Sequence, residues 1–237
     1  MKLVGLRHRL SYPSGYPADM AARLMNQGVY DAREAAQLIG VPVDLLVRWS
    51  TANAAGQPPV VKPTHRNAFS FTDLVSLAVA ATLHRRSVTD AHLRRGVSQL
   101  VKRTGLKQPL AHREIVDHLG TCGTAFLWND AGEWIDIGTG GQGTFKAIVK
   151  IDLRKVAFDD GGIATAWKPT EHVVLDPRVQ AGAPVVSGTR IPTATIEELA
   201  ESQSVDEIAD EYRVPAVKVR AALEFQRRLR AGEGLAA

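Results

Sequence analysis

At 237 residues, 45% of them hydrophobic and 23% charged, the chain has the make-up of ordinary globular protein, which excludes wholesale disorder and leaves room for two domains with a core in each. Its longest uncharged apolar run, Leu74 to Leu83, is about half what a bilayer crossing needs, and Met1 to Leu10 carries Lys2, Arg7, His8 and Arg9 without a signal-peptide core, so a cytoplasmic protein with no membrane segment is expected. Cys122 is the only cysteine, which excludes an internal disulfide, and the net charge of +4 is uneven: residues 1–118 hold 16 Lys and Arg against 8 Asp and Glu, residues 119–237 hold 13 against 17. The basic front half is the better candidate for a phosphate backbone, because counterion release rewards clustered cations over total charge.

Taken in order, residues 1–27 mix Pro13, Gly15 and Pro17 with Tyr12 and Tyr16, which predicts an extended arm before any regular domain. A unit over 28–105 follows. Ala35, Leu38 and Ile39 share one helical face, Gly40 suits a helix stop, and Val43, Leu46 and Val47 give a second apolar set. That is the spacing of two helices joined by a tight turn, the second able to enter a major groove. Pro58 to Phe71 predicts a two-stranded wing with its tip at Thr64 to Asn67. Thr72-Asp73 then opens a helix, and a further helix is expected to turn Leu93, Val97, Leu100 and Val101 inward and Arg94, Arg95, Lys102 and Arg103 largely outward before Gly105. Antiparallel pairing of two copies of this helix, near residues 90 to 104, predicts a homodimer on a two-fold operator.

Over 106–170 the pattern becomes β-like, at Thr124 to Trp128, Glu133 to Ile137 and Phe145 to Ile151, giving a small antiparallel connector. Gly138 to Gly143 reads as a hairpin loop, since Thr144 stands where a phosphate loop needs lysine. His112, Glu114, His118 and Cys122 lack metal-site spacing, Asp159-Asp160-Gly161-Gly162 reads as a turn, and no nucleophile stands beside a base. No enzyme and no cofactor are expected. Over 171–237 a strand at Val173 to Leu175 turns at Asp176-Pro177, Ala183 to Val186 pairs back, and three helices follow, with capping boxes expected at Thr195–Glu198 and Ser204–Glu207 and Pro215 in a first helical turn. The fold class expected is therefore α+β, mainly helical.

Two resemblances rest on particular residues. Tyr30, Glu34-Ala35-Ala36, Gly40-Val41, Leu46, Arg48-Trp49, Arg66, Phe69-Ser70-Phe71 and Asp73-Leu74 resemble the winged helix-turn-helix domain of the MerR family over roughly 28–104. The resemblance implies DNA contacts from Arg33, Asp44, Arg48, Thr64 and Arg66. Val47 and Leu45 depart from the Arg and Thr common there, which leaves the second helix few base-edge readers. Gly182, Pro184 and Gly188-Thr189-Arg190-Ile191-Pro192 are similar to a signature domain found in VapB-type antitoxins, from about Val173 to Phe225. That likeness implies an antitoxin that neutralises a PIN-domain ribonuclease toxin and represses its own operon.

Arg190, Arg227, Arg228 and Arg230 are the candidate toxin contacts, since such nucleases cluster carboxylates that an arginine fork can pair. For the last three, cations at a helix C-terminus are also favoured by the macrodipole alone, at about 0.3–1 kcal/mol each. Arg213, Lys218 and Arg220 are alternative phosphate contacts in the rear, whose first two helices are acidic. A rival expectation is a one-component MerR-like regulator whose 106–170 unit binds a small molecule, with no toxin partner.

Overall fold

The computed structural model describes residues 28–66, 68–130, 132–139, 141–142, 148–150 and 155–234. The arm expected over 1–27 lies outside the described residues. Helix α1 (Ala32–Ile39) starts at Asp31, whose carboxylate accepts the Arg33 and Glu34 N–H groups, and stops at Gly40 in the left-handed region, φ 69°. A Cβ on Gly40 would lie 2.5 Å from the Gly234 nitrogen, so Gly234 packs where only glycine fits. Helix α2 (Val43–Ser50) buries Leu45, Leu46 and Trp49. Val43 and Val47, expected to face inward, are 41% and 45% exposed, because the side anchored by Trp49 takes the core position.

The expected wing is reduced, among the described residues, to isolated bridges pairing Tyr30 with Phe69 and His65 with Ala68. Pro58, Pro59 and Pro63 have no N–H to give a ladder, and the Val60 and Val61 N–H groups both turn back to the Trp49 carbonyl. Asn67, at the expected tip, lies outside the described residues.

Helix α3 (Phe71–Arg85) begins one residue earlier than the sequence suggests, through a capping box between Ser70 and Asp73. It is apolar on nearly every side because it runs through the middle of the molecule, with α1, a 3₁₀ turn at Pro109–Ala111 and a strand packed on it. Helix α4 (Asp90–Thr104), capped by Thr89 and stopped by Gly105 at φ 72°, lies on the sheet that follows. A Cβ on Gly96 would stand 2.3 Å from Phe126 Cδ1, so this glycine sets how closely α4 approaches. The inner face of α4 is thereby covered within the chain. Val101 alone among its expected inward residues is exposed, at 37%.

After a short helix α5 (Arg113–Val116) come β1 (Leu119–Cys122), β2 (Ala125–Asp130), β3 (Glu133–Asp136), β4 (Gly141–Gln142) and β5 (Val149–Lys150), in an antiparallel sheet ordered β4-β3-β2-β1-β5. Gly141 and Gln142 of the glycine-rich segment form β4, antiparallel to β3, while Gly140 and Gly143 lie outside the described residues. A second sheet, β6-β7-β8-β9, is built from β6 (Val156–Phe158), β7 (Ala164–Thr170), β8 (Val173–Leu175) and β9 (Val185–Val186). Asp159 turns β6 into β7, its carbonyl accepting from Gly162 and its carboxylate from Ile163. Strands β7 and β8 pair across residue 171, so one sheet runs from the connector into the signature segment. The chain is thus a mixture of helix and antiparallel sheet, α+β.

The rear helices are α6 (Thr193–Leu199), α7 (Val205–Tyr212) and α8 (Ala216–Arg230). The capping box at Ser204 and Glu207 forms. The one expected at Thr195 and Glu198 does not, because the N-cap of α6 is Pro192, three residues earlier, whose ring fixes φ near the helical value. Val186, Ile196, Ile208, Val214, Val219 and Ala222 make a small core, whereas Phe225 and Leu229 at the far end of α8 belong to the large core shared with α1, α3 and both sheets.

Candidate nucleic-acid and partner interfaces

The outer face of α2 is the one the sequence reading offers to a groove. It presents Val43, Asp44, Val47 and Arg48, with Arg48 Nη1 3.1 Å from Asp44 and Nε 3.8 Å from Asp90. The Asp44 pair is exposed and stabilises little, whereas Asp90 is half-buried and also accepts from Trp49. The two valines, missed in the sequence, offer the apolar contact that suits a thymine methyl. Arg33 and Arg66 are exposed. Thr64 is tied down: its N–H donates to Asp73 Oδ2 at 2.8 Å, its hydroxyl lies 3.2 Å from Ser70 Oγ, and Gln108 donates to that hydroxyl at 3.1 Å.

What holds α2 in place is Arg94. Only 5% exposed, its guanidinium donates through Nη1 to the carbonyls of Thr51 (2.9 Å) and Pro58 (2.7 Å) and through Nη2 to that of Arg48. Carbonyls at a helix end lack intrahelical partners, and a buried cation there satisfies them and meets the negative end of the dipole. The sequence had placed Arg94 largely outward. Its neighbour Arg95 has the same composition and helical phase within one position, and only the path of residues 48–58 decides which of the two is enclosed. Trp49 Nε1 adds a 2.9 Å bond to Asp90, tying the two helices together again.

The front meets the rear at the signature turn. Val29 N–H donates to the Ala181 carbonyl at 3.1 Å and the Tyr30 hydroxyl to the Gly182 carbonyl at 2.8 Å. Burial, reinforced by the nearby Glu34 and Asp176 carboxylates, pushes the Tyr30 phenol well above its usual range and keeps it a donor. Burial also pushes Glu34 up to about 7, the Asp31 charge adding to the rise and an Asp31 backbone bond opposing it. The folded state therefore favours protonated Glu34: that stability is fully present below the ordinary value of 4.5 and is lost as pH rises through about 7. Glu34→Gln, which stays neutral, is expected to be more stable than the parent at pH 8 by on the order of 2 kcal/mol and to match it near pH 4. Melting temperatures measured across that range check this; parallel curves for the two proteins would contradict it.

Within the signature, Gly182 (φ 91°) and Gly188 (φ 80°) hold left-handed turns, and Arg190 is exposed with its carbonyl accepting from Gln180 at 2.9 Å. Lys218, a possible phosphate contact in the sequence, instead reaches the Ser187 carbonyl at 2.7 Å and holds the turn from α8. Arg213 ends α7 in the left-handed region and is exposed, and Arg220 lies 3.9 Å from Asp206. A buried bond from Gln226 to the Thr193 hydroxyl, 2.7 Å, joins α8 to the start of α6. Its signal in the sequence is a polar residue in phase with Val219, Ala222 and Leu229.

The three terminal arginines are each paired within the chain. Arg227 grips Glu224 through Nε and Nη2 at 2.8 and 2.6 Å, holding that carboxylate below its usual range; Arg228 lies 3.2 Å from Glu233 and Arg230 2.8 Å from Glu197. Exposed ion pairs of this kind are weak, so an arginine can leave its partner for a stronger anion. Among the described residues no three His, Cys, Asp or Glu side chains stand close enough to hold a metal ion, and no helix is long and apolar enough to cross a membrane.

Comparison with known proteins places these surfaces in context. The family model described as "Protein of unknown function (DUF433)" matches residues 173–225, which are the residues of the signature segment. The chain is 27% identical over 226 residues to "Putative antitoxin VapB45" of Mycobacterium tuberculosis (strain ATCC 25618 / H37Rv), covering 83% of this chain and 92% of that protein. Its fold is similar to the crystal structure of Rv2018 from Mycobacterium tuberculosis, with a TM-score of 0.60 and 19% identity over 82% of this chain and 96% of that one. Both likenesses run through front, connector and rear together.

Proposed function

We propose that this protein is the antitoxin of a type II toxin–antitoxin pair, which neutralises a PIN-domain ribonuclease by direct binding and represses its own operon by binding DNA. The observation that carries the reading is the 27% identity, across most of both chains, to a protein named as an antitoxin. The rear supplies the toxin-facing surface: Arg190 beside the signature turn, and Arg227, Arg228 and Arg230 on α8, in weak exposed pairs that a nuclease's carboxylate cluster can displace. The front supplies the DNA head, with Arg48 on α2 and Arg33 and Arg66 beside it as phosphate contacts. The protein acts without catalysis of its own, in the cytoplasm, as a homodimer on a two-fold operator, its dimer contact lying away from the inner face of α4.

Co-expression with the product of the adjacent gene, followed by pull-down and growth rescue, tests the pairing. A nuclease that co-purifies and a restored growth rate are the expected results; no captured partner and no rescue would favour the one-component regulator. Alanine at Arg227, Arg228 and Arg230 together is expected to weaken toxin capture at least about tenfold while leaving the melting temperature within a few degrees, since each in-chain pair is weak. Intact neutralisation by the triple variant would remove these residues from the interface. Because front and rear share one core, truncation would unfold both, so the DNA head is assigned by point variants. Loss of gel-shift affinity in Arg48→Ala and Arg66→Ala, with Arg213→Ala and Arg220→Ala unaffected, assigns it to the front, and the reverse pattern would assign it to α7 and α8.

A further inference from the structure

A cavity of about 570 Å³ lies where three parts of the chain meet: the start of α3, the segment around the 3₁₀ turn, and β7 with the signature's first turn. Its size is that of a small-molecule site. Phe71, Leu106, Ala164 and Pro177 give it apolar walls, and the charged residues in its lining are Lys107 and Arg178. No Asp or Glu lines it among the described residues. Asp73, which bonds the lining residues Thr64, Ser70 and Gln108, is fully buried and engaged, one oxygen accepting from the Thr64 and Ser70 N–H groups and the other from Gln108. Lys107 is exposed and has no carboxylate partner among the described residues. Arg178 is held in a fixed plane by Asp176, which takes its Nε and Nη2 at 2.9 and 2.7 Å and leaves three of its five N–H groups for another acceptor. The positive end of α3 faces the same space through Ser70, Phe71 and Thr72 and adds to the field.

We propose that this cavity binds a small amphipathic anion, a ring-sized apolar body carrying one carboxylate or phosphate group. The apolar walls take the body, and Lys107 and Arg178 take the charge. Because the walls come from the front, the connector and the signature turn, such a ligand favours the arrangement that brings all three together and shifts the protein toward it. The inference does not depend on a toxin partner.

The test uses the full chain with indole-3-acetate, phenyl phosphate and the neutral indole-3-acetamide, by calorimetric titration and thermal shift. At least one anion is expected to bind saturably with a Kd below about 1 mM, and indole-3-acetamide at least about tenfold more weakly than indole-3-acetate where the carboxylate binds. Binding by indole-3-acetate alone assigns a carboxylate ligand and by phenyl phosphate alone a phosphate. Lys107→Ala combined with Arg178→Gln, both on the surface, is expected to weaken the anion about tenfold with circular dichroism unchanged. Thr165→Phe, which fills the space and keeps strand propensity, is expected to abolish binding. Absence of saturable binding by either anion overturns the proposal, as does affinity unchanged in the Lys107/Arg178 variant. Should Thr165→Phe fail to fold, the charge variant decides alone.

Discussion

Replacing Arg94 with alanine is expected to lower the free energy of unfolding by about 2–4 kcal/mol. Three backbone carbonyls, those of Arg48, Thr51 and Pro58, would lose one charged donor at once, and a hydrogen bond to a charged group is worth roughly 1.5–3 kcal/mol net where water cannot replace it. Arg48 and Thr51 lie near solvent, which holds the total below the simple sum of three bonds. Arg94→Lys keeps the charge but is a point donor that cannot serve three diverging carbonyls, so it is expected to recover less than half of the loss. Urea denaturation measures both. The same substitution should release the end of α2, and on the proposed function operator affinity falls with it even though Arg94 touches no DNA. A melting temperature unchanged in Arg94→Ala would mean that the guanidinium is not the support described.

Gly182→Ala carries the second large effect, about 3–4 kcal/mol. Two costs combine. The residue sits at φ 91°, where a Cβ is strained, and that Cβ would stand 2.2 Å from the Tyr30 hydroxyl and 2.9 Å from its Cζ. Removing the hydroxyl separates them: in a Tyr30→Phe background the alanine is expected to cost at least about 1 kcal/mol less, because the closest contact is gone while the backbone strain remains. Tyr30→Phe alone loses the bond to the Gly182 carbonyl and is expected to cost about 1–2 kcal/mol. A double-mutant cycle with no coupling would show that the front does not lean on this turn. The signature's first glycine is thus explained by a residue some 150 positions earlier, which is 152 in the hydrogen bond itself.

Much of the local structure was legible. Gly40 marks the end of α1, Gly105 that of α4, and Ser204 with Glu207 the start of α7, because caps and left-handed stops depend only on residues a few positions apart. Errors arose where a local rule met a stronger distant one. Val43 and Val47 fit an apolar period as well as Leu45 and Leu46, and the position of Trp49 against the core selected the other face. Thr195 and Glu198 satisfy a capping pattern, yet Pro192 starts the helix sooner and Thr193 is claimed by Gln226. The shortness of the bridges in the expected wing has a reason that was visible, three prolines in six residues, but the destination of the Val60 and Val61 N–H groups was not.

The candidate contacts divide the same way. That Arg48, Arg66 and Arg190 would be exposed followed from type and surroundings, whereas Thr64 tied to Asp73 and Lys218 reaching Ser187 are contacts between segments that no spacing relates. Composition, periodicity and turn chemistry determined that this chain is α+β, where some of its helices begin or end, and that its front is basic and its rear acidic. Tertiary structure decided which arginine is enclosed, why Gly182 must be glycine, and that front, connector and rear share one core with a cavity at their junction. The reason is physical: hydrophobic burial is non-directional and fixes only which faces turn inward, while the pairing of buried donors with carbonyls is directional and is settled by the path of the whole chain.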